Sequence, residues 1–392
     1  MSERPDVCWV FPDKMGGVAS LAANLLQYRD RDEFTYSAVL THGTLDNASR
    51  SSAPLRVDRS SVFEHSLPLE NLHAVLRRLA RAIGSAPGVL VCNDALELML
   101  VSSLDVRRTV VQVVHGDYDY YYNLAADHEP YVHAFVAISR TVYDGLRQRL
   151  PHRLDSIFWL PYGVPLPARI RQPSAGPLRL LFVGRLDEPK GVLELPQMDA
   201  LLRARDVSVT WTVVGDGPVR ERLKREWGGG ADSVRWVHRA TPADVLAICA
   251  EHDVFVLPSR AEGLPVAMIE AMTAGVVPLV SDLPSLIEVV DNRTTGLRVQ
   301  GGADAFVLAI ETLARERAQL ESMSAAACRL ARDRFDIRRR AADYQGLWAR
   351  WRDLFRPRPV APTRVYGSRL DRPWFPNPLV RLVRTALATR RS

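Results

Sequence analysis

Short apolar runs alternate with helix-like stretches along most of the chain. The apolar runs occupy residues 7–11, 36–42, 88–93, 109–115 and 134–139 in the first half, and residues 178–184, 207–215, 234–238, 253–259 and 276–281 in the second. Runs that are apolar at nearly every position are typical of strands buried on both faces, as in parallel sheets covered by helices. The pattern therefore predicts an α/β protein with two Rossmann-like, doubly wound parallel sheets.

A proline-rich stretch at residues 161–177 separates the two series of predicted strands. We therefore predict a first Rossmann-like domain over residues 1–168 and a second over residues 169–340. The chain has a helical pattern from about residue 302 onward, and residues 356–364 have the composition of a linker. Residues 341–392 are predicted to form a C-terminal helix and a basic tail.

Composition narrows the class of protein. The chain has 392 residues, of which 47% are hydrophobic and 24% charged, as in soluble globular proteins. Its four cysteines are widely spaced and match no zinc-site pattern, so we expect reduced thiols and no metal. No signal peptide is recognisable, and no apolar run approaches the roughly 20 residues that span a bilayer. We therefore expect a cytoplasmic protein.

The residues that follow the predicted strands are the candidates for chemistry, because ligands of parallel sheets bind beyond the carboxyl ends of the strands. Two facing sheets of this kind would form a cleft. Arg185 and Lys190 follow one strand, before a helix expected near Gly191, and would suit an anion. The alternative is a pair of solvated surface cations. Gly215 and Gly217 are explained by a tight turn alone.

A second loop carries two glutamates in apolar surroundings. Glu262 follows the strand at 253–258, and Glu270 lies in a short helix predicted between Pro265 and Gly275. Glu270 is suited to accept hydrogen bonds from a ribose diol, and Glu262 from a sugar hydroxyl. The amides of the residues between them suit a phosphate, and these residues are Gly263, Leu264 and Val266. The alternative is that each glutamate pairs with a buried arginine.

The first half offers weaker candidates. Gly16 and Gly17 precede a predicted helix and suit close approach of a phosphate or sugar, although a surface loop is the alternative. His115 at a strand terminus is a candidate contact to a reacting sugar, and a structural histidine is the alternative. Consecutive tyrosines are unusual in a core, so we interpret those that follow as a platform for a sugar or lipid acceptor, or as an interface: Tyr118, Tyr120, Tyr121 and Tyr122.

These motifs together resemble the family-4 glycosyltransferases, which are retaining enzymes of the GT-B fold. The matching segments are GRLDEPKG, GDGP and EGLPVAMIE followed by AMTAG in the second half, and GGVASLAANLL, VVHGD, FVAIS and WLPYGV in the first. The resemblance covers about residues 1–350 and implies that Arg185 and Lys190 bind the pyrophosphate of a nucleotide-sugar donor. It also implies that the C-terminal helix, residues 336–355, crosses back to the first domain.

The resemblance implies roles for the remaining candidates. Glu270 would bind the donor ribose and Glu262 would lie near the donor sugar, while His115, Gly16 and Gly17 would face the reacting sugar and phosphates. The expected catalytic group is His115, Glu262, Arg185 and Lys190. The family uses front-face attack, in which the leaving diphosphate helps to deprotonate the acceptor, so neither a metal nor a cofactor besides the nucleotide sugar is expected.

The expected function is retaining transfer from a UDP- or GDP-sugar to a glycan or lipid-linked acceptor, in bacterial surface polysaccharide or lipopolysaccharide synthesis. Three alternatives stay open. One is a metal-dependent transferase that uses Asp117 and Asp119. The others are an epimerase or hydrolase of the same fold, and an inactive homologue that only binds.

The tail from Arg338 onward is rich in arginine, and the chain carries a net charge of +6. Apolar residues recur in this tail at helical spacing, together with two aromatic residues and several arginines. The residues are Trp374, Phe375, Leu379, Arg381, Leu382, Val383, Arg384, Leu387, Arg390 and Arg391. This composition is typical of a helix in an anionic membrane interface, which would place the protein peripherally on the inner face of the cytoplasmic membrane. The alternative is a helix that docks its apolar stripe on the first domain. We expect no nucleic-acid partner.

Overall fold

The computed structural model describes residues 4–14, 16–30, 32–45, 50, 55–228, 234–238, 240–359 and 366–388. The chain divides into two compact units. One consists of Met1–Pro161 together with Arg340–Ser392, and the other of Tyr162–Arg339. The first division falls within the proline-rich stretch, and the chain after Arg340 belongs to the first unit.

The first unit is built on a seven-stranded, wholly parallel sheet with the order β3-β2-β1-β4-β5-β6-β7. Its strands are β1 (Asp6–Pro12), β2 (Thr35–Gly43), β3 (Arg59–His65), β4 (Gly88–Cys92), β5 (Thr109–Val114), β6 (Ala134–Ala137) and β7 (Ile157–Trp159). Its first helices are α1 (Gly17–Tyr28), α2 (Leu72–Ile83), α3 (Ala95–Ser103), α4 (Asp119–His128) and α5 (Arg140–Arg149). The central strands are buried throughout, which explains their unbroken apolar sequences.

The second unit repeats this plan with a six-stranded parallel sheet of order β10-β9-β8-β11-β12-β13. Its strands are β8 (Leu178–Val183), β9 (Val209–Val214), β10 (Val234–Val237), β11 (Val254–Leu257), β12 (Val277–Ser281) and β13 (Leu297–Val299). Its helices are α6 (Leu195–Ala204), α7 (Arg220–Trp227), α8 (Pro242–Cys249), α9 (Val266–Thr273), α10 (Ala303–Arg315) and α11 (Arg317–Phe335). The prediction of two Rossmann-like parallel sheets is confirmed.

Three strands were not predicted from the sequence, namely β3, β7 and β13. All three lie at the edge of a sheet. An edge strand is covered on fewer sides, and β3 exposes most of its residues while β7 and β13 have only three residues each. Such strands lack the continuous apolar pattern that marks a central strand.

The C-terminal segment packs on the first unit. It contains α12 (Ile337–Ala349), α13 (Trp351–Leu354) and α14 (Asn377–Ala388). Trp9 of β1 packs against Tyr344 and Trp348 of α12, with ring centroids 6.4 Å and 6.0 Å apart. The single helix expected over residues 336–355 is therefore two helices that help to cover the sheet. No helix within the described residues combines the length and the apolar character needed to cross a bilayer.

Each unit contains a buried ion pair at the amino ends of its central strands. In the first, Arg108 Nη1 lies 2.9 Å from a carboxylate oxygen of Asp6. In the second, Asp253 is fully buried and accepts hydrogen bonds from Arg171 and Arg179 at 2.7–3.1 Å. These groups hold the amino end of each sheet, opposite to the loops at its carboxyl edge.

Candidate functional site

The loops after β8 and β11 adjoin each other at the switch point of the second unit's sheet. The chain leaves β8 towards β9 on one side and leaves β11 towards β12 on the other. Such a point opens a crevice beyond the strand ends. The two loops pack closely there, because a Cβ on Gly191 would lie 2.0 Å from the carbonyl oxygen of Pro258. Gly191 also has φ +66°, a conformation that other residues rarely adopt.

The helix expected near Gly191 begins later. Two short 3-10 turns, Glu188–Lys190 and Val192–Glu194, come first, and α6 begins at Leu195. The left-handed conformation of Gly191 interrupts the regular backbone between the two turns. Lys190 therefore lies at the end of a 3-10 turn and not at the N-terminus of a long helix.

Lys190 and Glu262, which the sequence offered as separate contacts, form an ion pair. Lys190 Nζ lies 2.6 Å from Oε1 and 2.8 Å from Oε2 of Glu262. Ser259 Oγ donates to Glu262 Oε1 at 2.6 Å, and Ser285 Oγ donates to the Glu262 carbonyl oxygen at 2.8 Å. The buried carboxylate of Glu262 is thus held by a lysine and a serine, and the alternative of a pairing with arginine is not what the structure has.

Glu270 lies in the middle of α9 and is only 8% exposed. Its carboxylate has no hydrogen-bond or ion-pair partner among the residues that the structure describes. Burial alone raises the pKa of Glu270 to about 8. A buried carboxylate without donors is unfavourable, so this side chain is suited to a ligand that brings hydroxyl groups into the crevice.

Arg185 has an exposed side chain whose Nε donates to Asp187. The same aspartate accepts from the backbone amide of Lys190 at 3.3 Å, which stabilises the 3-10 turn. Sequence reasoning missed Asp187. Asp187 lies between Arg185 and Lys190 in the sequence, and this position could have indicated that it pairs with one of them.

The N-terminus of α9 provides backbone amides. Pro265 is its N-cap residue and supplies no side-chain hydrogen bond. In the described part of the chain, the amides of Gly263, Leu264 and Val266 have no acceptor. Unsatisfied amides at a helix start attract anions. Glu270 lies in the second turn of the same helix, and Glu262 lies four residues before its first residue, so α9 links the acidic and anion-binding parts of the crevice.

Gly215 and Gly217 permit close packing of the loop after β9. A Cβ at Gly215 would lie 1.9 Å from the Gly184 carbonyl oxygen, and one at Gly217 would lie 2.2 Å from the Leu186 carbonyl oxygen. The glycines bring this loop against the loop after β8.

The first unit has its own switch point, between β1 and β4. Gly16 and Gly17 follow β1, Asn93 follows β4 and His115 follows β5, so three neighbouring strand ends contribute. Gly16 has φ +152° and precedes α1 without a side-chain cap. The structure therefore brings the first-half candidates to the carboxyl edge of one sheet.

His115 is a buried, neutral histidine. Its Nε2 lies 2.8 Å from Asn93 Oδ1, and Asn93 Nδ2 donates to the Val10 carbonyl oxygen at 2.7 Å. The amide group of Asn93 is oriented by that backbone contact, so Asn93 accepts the proton of His115 Nε2. Burial lowers the pKa of His115 to about 3. His115 therefore offers hydrogen bonds and no positive charge.

Asn93 and Glu97 were missed by sequence reasoning. Glu97 is fully buried in the first turn of α3 and accepts from the amides of Asn93 and Asp94, each at 2.7 Å. Burial, with a contribution from Asp94, raises the pKa of Glu97 to about 8. The capping-box spacing from Asp94 to Glu97 was the signal in the sequence. Glu97 thus holds the turn that positions Asn93 beside His115.

The tyrosines after β5 divide into exposed and buried positions. Tyr118 and Tyr120 are exposed, and Tyr121 packs with its ring centroid 6.0 Å from that of His115. Tyr122 is buried and its hydroxyl donates to Asp117 at 2.6 Å, so our interpretation of Tyr122 as a surface residue was wrong. The tyrosines lie at the start of α4, where helical periodicity turns one of them inward.

Asp117 and Asp119, the alternative metal ligands, contact different side chains. Asp117 accepts from Tyr122, and Asp119 lies 3.4 Å from Arg149 Nη2. Within the described ranges, no group of three or more histidine, cysteine, aspartate and glutamate side chains is arranged to hold a metal ion.

Residues 177–316 match the family model described as glycosyl transferases group 1. This segment of the second unit is similar to the group 1 glycosyltransferases. It is 28% identical over 161 residues to the amylovoran biosynthesis glycosyltransferase AmsK of Erwinia amylovora, covering 39% of this chain and 40% of AmsK. It is 26% identical over 137 residues to the GDP-mannose:cellobiosyl-diphosphopolyprenol alpha-mannosyltransferase of Xanthomonas campestris, covering 32% of this chain and 36% of that protein. The matches thus span about two fifths of the relatives' length.

The likeness in structure extends over both units. Anabaena Alr3699/HepE in complex with UDP and glucose superposes with a TM-score of 0.70 at 16% identity, covering 88% of this chain and 99% of HepE. The two Rossmann-like units have the GT-B fold. The residues that match the family model, 177–316, include all four charged candidates of the second unit, namely Arg185, Lys190, Glu262 and Glu270.

Proposed function

We propose that this protein transfers a sugar, with retention of anomeric configuration, from a UDP- or GDP-sugar to a glycan or lipid-linked acceptor in the synthesis of a bacterial surface polysaccharide or lipopolysaccharide. The observation that carries the proposal is the arrangement of Lys190, Glu262 and Glu270 around the amides of α9. The similar proteins support this function. The HepE structure contains UDP and glucose, and AmsK is an amylovoran biosynthesis glycosyltransferase. The Xanthomonas protein is a GDP-mannose-dependent mannosyltransferase.

The donor is proposed to bind the second unit through complementary charge. Arg185, Lys190 and the amides of Gly263, Leu264 and Val266 favour the diphosphate. Hydroxyls of the ribose donate to Glu270, which has no donor of its own among the described residues. Glu262 accepts from a hydroxyl of the donor sugar while Lys190 keeps its carboxylate charged and oriented.

The first unit is proposed to contribute polar contacts. His115, oriented by Asn93, makes a neutral hydrogen bond to the reacting sugar, because its depressed pKa excludes an imidazolium. Gly16 and Gly17 allow the backbone to approach the sugar and phosphates. The acceptor packs on Tyr118, Tyr120 and Tyr121 at the start of α4, of which Tyr118 and Tyr120 are exposed.

Retention is proposed to follow from front-face attack without a metal ion. The acceptor oxygen bonds to the anomeric carbon on the face from which the diphosphate departs, and the departing phosphate oxygen takes the acceptor's proton. The protein's main contribution is then electrostatic, since cations and amides stabilise the charge that develops on the diphosphate. Glu262 is engaged by Lys190 and Ser259, so a hydroxyl contact is assigned to it and not the role of nucleophile.

A two-stage experiment tests this function. Thermal shifts with UDP, GDP and their common sugars identify the donor, because a ligand that binds only the native state raises its stability by about 2.7 kcal/mol at a hundred times its Kd. The product formed on candidate acceptors is then analysed by NMR for anomeric configuration. Retention and activity in EDTA are expected. An inverted product, or release of free or epimerised sugar without an acceptor, would contradict the proposal.

Arg185→Ala tests the pyrophosphate contact. Loss of one cation aimed at developing charge costs about 3 kcal/mol in the barrier, so kcat is expected to fall roughly a hundredfold. Arg203→Ala is the matched control, because Arg203 is also ion-paired to an aspartate of the same unit but lies in α6. Near-normal turnover of folded Arg185→Ala would remove this assignment.

A further inference from the structure

The C-terminal helix α14 is attached to the first unit by one face only. Val380 is its buried residue, and Arg384 donates to the carbonyl oxygens of Pro68 and Glu70 at 2.7 Å and 2.6 Å. Arg384 also pairs with Asp371 at 2.5 Å, and Asn377 accepts from the amide of Asn71 at 2.8 Å. These contacts fix the orientation of α14 on the loop before α2.

A different face of α14 carries the apolar stripe. Leu379, Leu382, Val383 and Ala386 follow the spacing i, i+3, i+4 and i+7, which aligns them along one side of a helix. Leu379 is 49% exposed and Leu382 is 69% exposed. The sequence left open whether an apolar stripe docks on the first domain, and in the structure the buried and docked residues are Val380, Asn377 and Arg384, while Val383 is half-buried. Leu379 and Leu382 are therefore left largely uncovered by the described residues of their own unit.

The same segment exposes other apolar groups. Trp374, just before α14, is 74% exposed, and Leu387 is exposed near the end of the helix. Beside Leu387, on the side of Arg384, a cavity of about 750 Å³ opens, with largely apolar walls that include Leu67, Leu72 and Met99. Several exposed apolar side chains on one short segment mark an interaction site.

The charge of the segment identifies the partner. Residues 366–388 contain four arginines and one acidic residue, Asp371, which Arg384 already pairs. Arg369 and Arg381 are exposed. A second copy packed symmetrically on this face would bring the same arginines together, which is unfavourable. An anionic lipid surface instead complements the charge and takes up leucine and tryptophan side chains at its boundary.

We propose that α14 and Trp374 form a membrane-docking surface that inserts Leu379 and Leu382 into the interface of an anionic bilayer. The face with Val380 and Arg384 holds the helix on the first unit while the adjacent face with Leu379 and Leu382 enters the lipid. Arg390 and Arg391, which the sequence analysis assigned to the same surface, lie outside the described residues. The proposal is independent of the sugar donor and of catalysis.

Flotation of the full chain with lipid vesicles tests the proposal. The protein is expected to float with phosphatidylglycerol vesicles and to bind phosphatidylcholine vesicles more weakly. Leu379→Gln/Leu382→Gln is expected to lower the partition coefficient at least about tenfold, because both side chains lose their transfer into lipid. Arg381→Gln is expected to lower it about fivefold on anionic vesicles alone.

Leu308→Gln is the matched control, because Leu308 is 56% exposed on α10 of the other unit. It should float like the wild type, and unchanged circular dichroism and melting temperature should show that all variants fold. Flotation of the double variant equal to that of the wild type would overturn the proposal, as would failure of the wild type to float at low salt. A dimer in light scattering that the double variant abolishes would assign the stripe to a second copy and would equally overturn it.

Discussion

At the scale of single residues, the protein keeps several ionisable groups in environments that oppose their charge. Glu270 and Glu97 have pKa values raised to about 8, and the pKa of His115 is lowered to about 3. Burial is the leading cause in each case. Glu97 is compensated by two amides and His115 by Asn93, whereas Glu270 lacks such a partner among the described residues. The uncompensated group is the one assigned to the ligand.

Donor affinity is expected to rise with pH. Below about pH 8 the unliganded Glu270 is mostly protonated, so binding hydroxyl donors to its carboxylate first requires release of a proton. The apparent affinity should then fall towards tenfold for each pH unit below that pKa. Calorimetric titration with the nucleotide sugar between about pH 6 and pH 8.5 measures this, because its diphosphate does not titrate there. Glu270→Gln should bind more weakly with little pH dependence, and a steep profile in that variant would refute the assignment.

Glu270→Gln is also expected to stabilise the unliganded protein at about pH 8. The folded pKa lies above the value near 4.5 of an unperturbed glutamate, so the unfolded chain ionises first as pH rises. Stability therefore declines between those two pKa values, by up to about 1.4 kcal/mol per pH unit, and glutamine removes the decline. Melting temperatures of the wild type and of Glu270→Gln at about pH 4.5 and pH 8 test whether the variant gains stability relative to the wild type as pH rises. Glu33→Gln, at an exposed position, is the control and should match the wild type at both.

At the scale of elements, the site depends on how closely loops can pack at the switch points. Gly191 joins two 3-10 turns and lies against Pro258, which sets Lys190 beside Glu262. The helix α9 then brings its own uncapped amides and Glu270 to the same loop. No single element contains the site, since the loop after β8 supplies the cations and the segment after β11 supplies the acids.

Gly191→Ala is expected to disrupt this packing. Its Cβ would lie 2.0 Å from a backbone oxygen at a φ of +66°, so the loop must move, and we expect a loss of about 1–3 kcal/mol in stability together with weaker donor binding. Gly346→Ala is the control, because nothing lies within 4 Å of its added Cβ in α12, and it should be neutral or stabilising by up to about 1 kcal/mol. Denaturant titration and donor affinity measure both effects. Equal behaviour of the two variants would contradict the packing role of Gly191.

At the scale of the whole molecule, the two units repeat one plan with separate cores. Each has a central pair of strands with a switch point at the carboxyl end and a buried ion pair at the amino end: β1 and β4 with Asp6–Arg108, and β8 and β11 with Asp253 between two arginines. The ion pairs lie away from the proposed ligand contacts. They are therefore assigned to stability.

The two buried pairs are expected to act locally. Asp253→Asn removes the buried carboxylate that Arg171 and Arg179 share and leaves Glu321 as the partner of Arg171, which should cost about 3 kcal/mol. Hydrogen exchange of the backbone amides should then become faster in β8 and β11 and change little in β1 and β4. Asp6→Asn should instead make exchange faster in β1 and β4 and change it little in β8 and β11. Comparable increases in both sheets for either variant would show that the two cores do not behave as separate cooperative units.

The sequence by itself determined the class of fold and most of the strands. Parallel strands covered on both faces must be apolar at nearly every position. Each of these strands can therefore be recognised from its own sequence: β1, β4, β5, β8 and β11. The edge strands β3, β7 and β13 were not recognised, because a strand at the edge of a sheet needs no continuous apolar run. Arg185, Lys190, Glu262 and Glu270 were found for a related reason: charges that directly follow such strands lie at the ligand-binding edge of a sheet.

Only the tertiary structure decided which of these groups meet. The pairing of Lys190 with Glu262 joins residues 72 positions apart, and the contact of Asn93 with His115 joins residues 22 positions apart. Such contacts depend on the strand order at the switch points, which local sequence patterns do not encode. The same holds for α14, whose apolar stripe is evident in the sequence. The exposure of Leu379 and Leu382 follows from the contacts of Asn377 and Arg384 with the loop before α2, because these contacts select the face that docks and bury Val380.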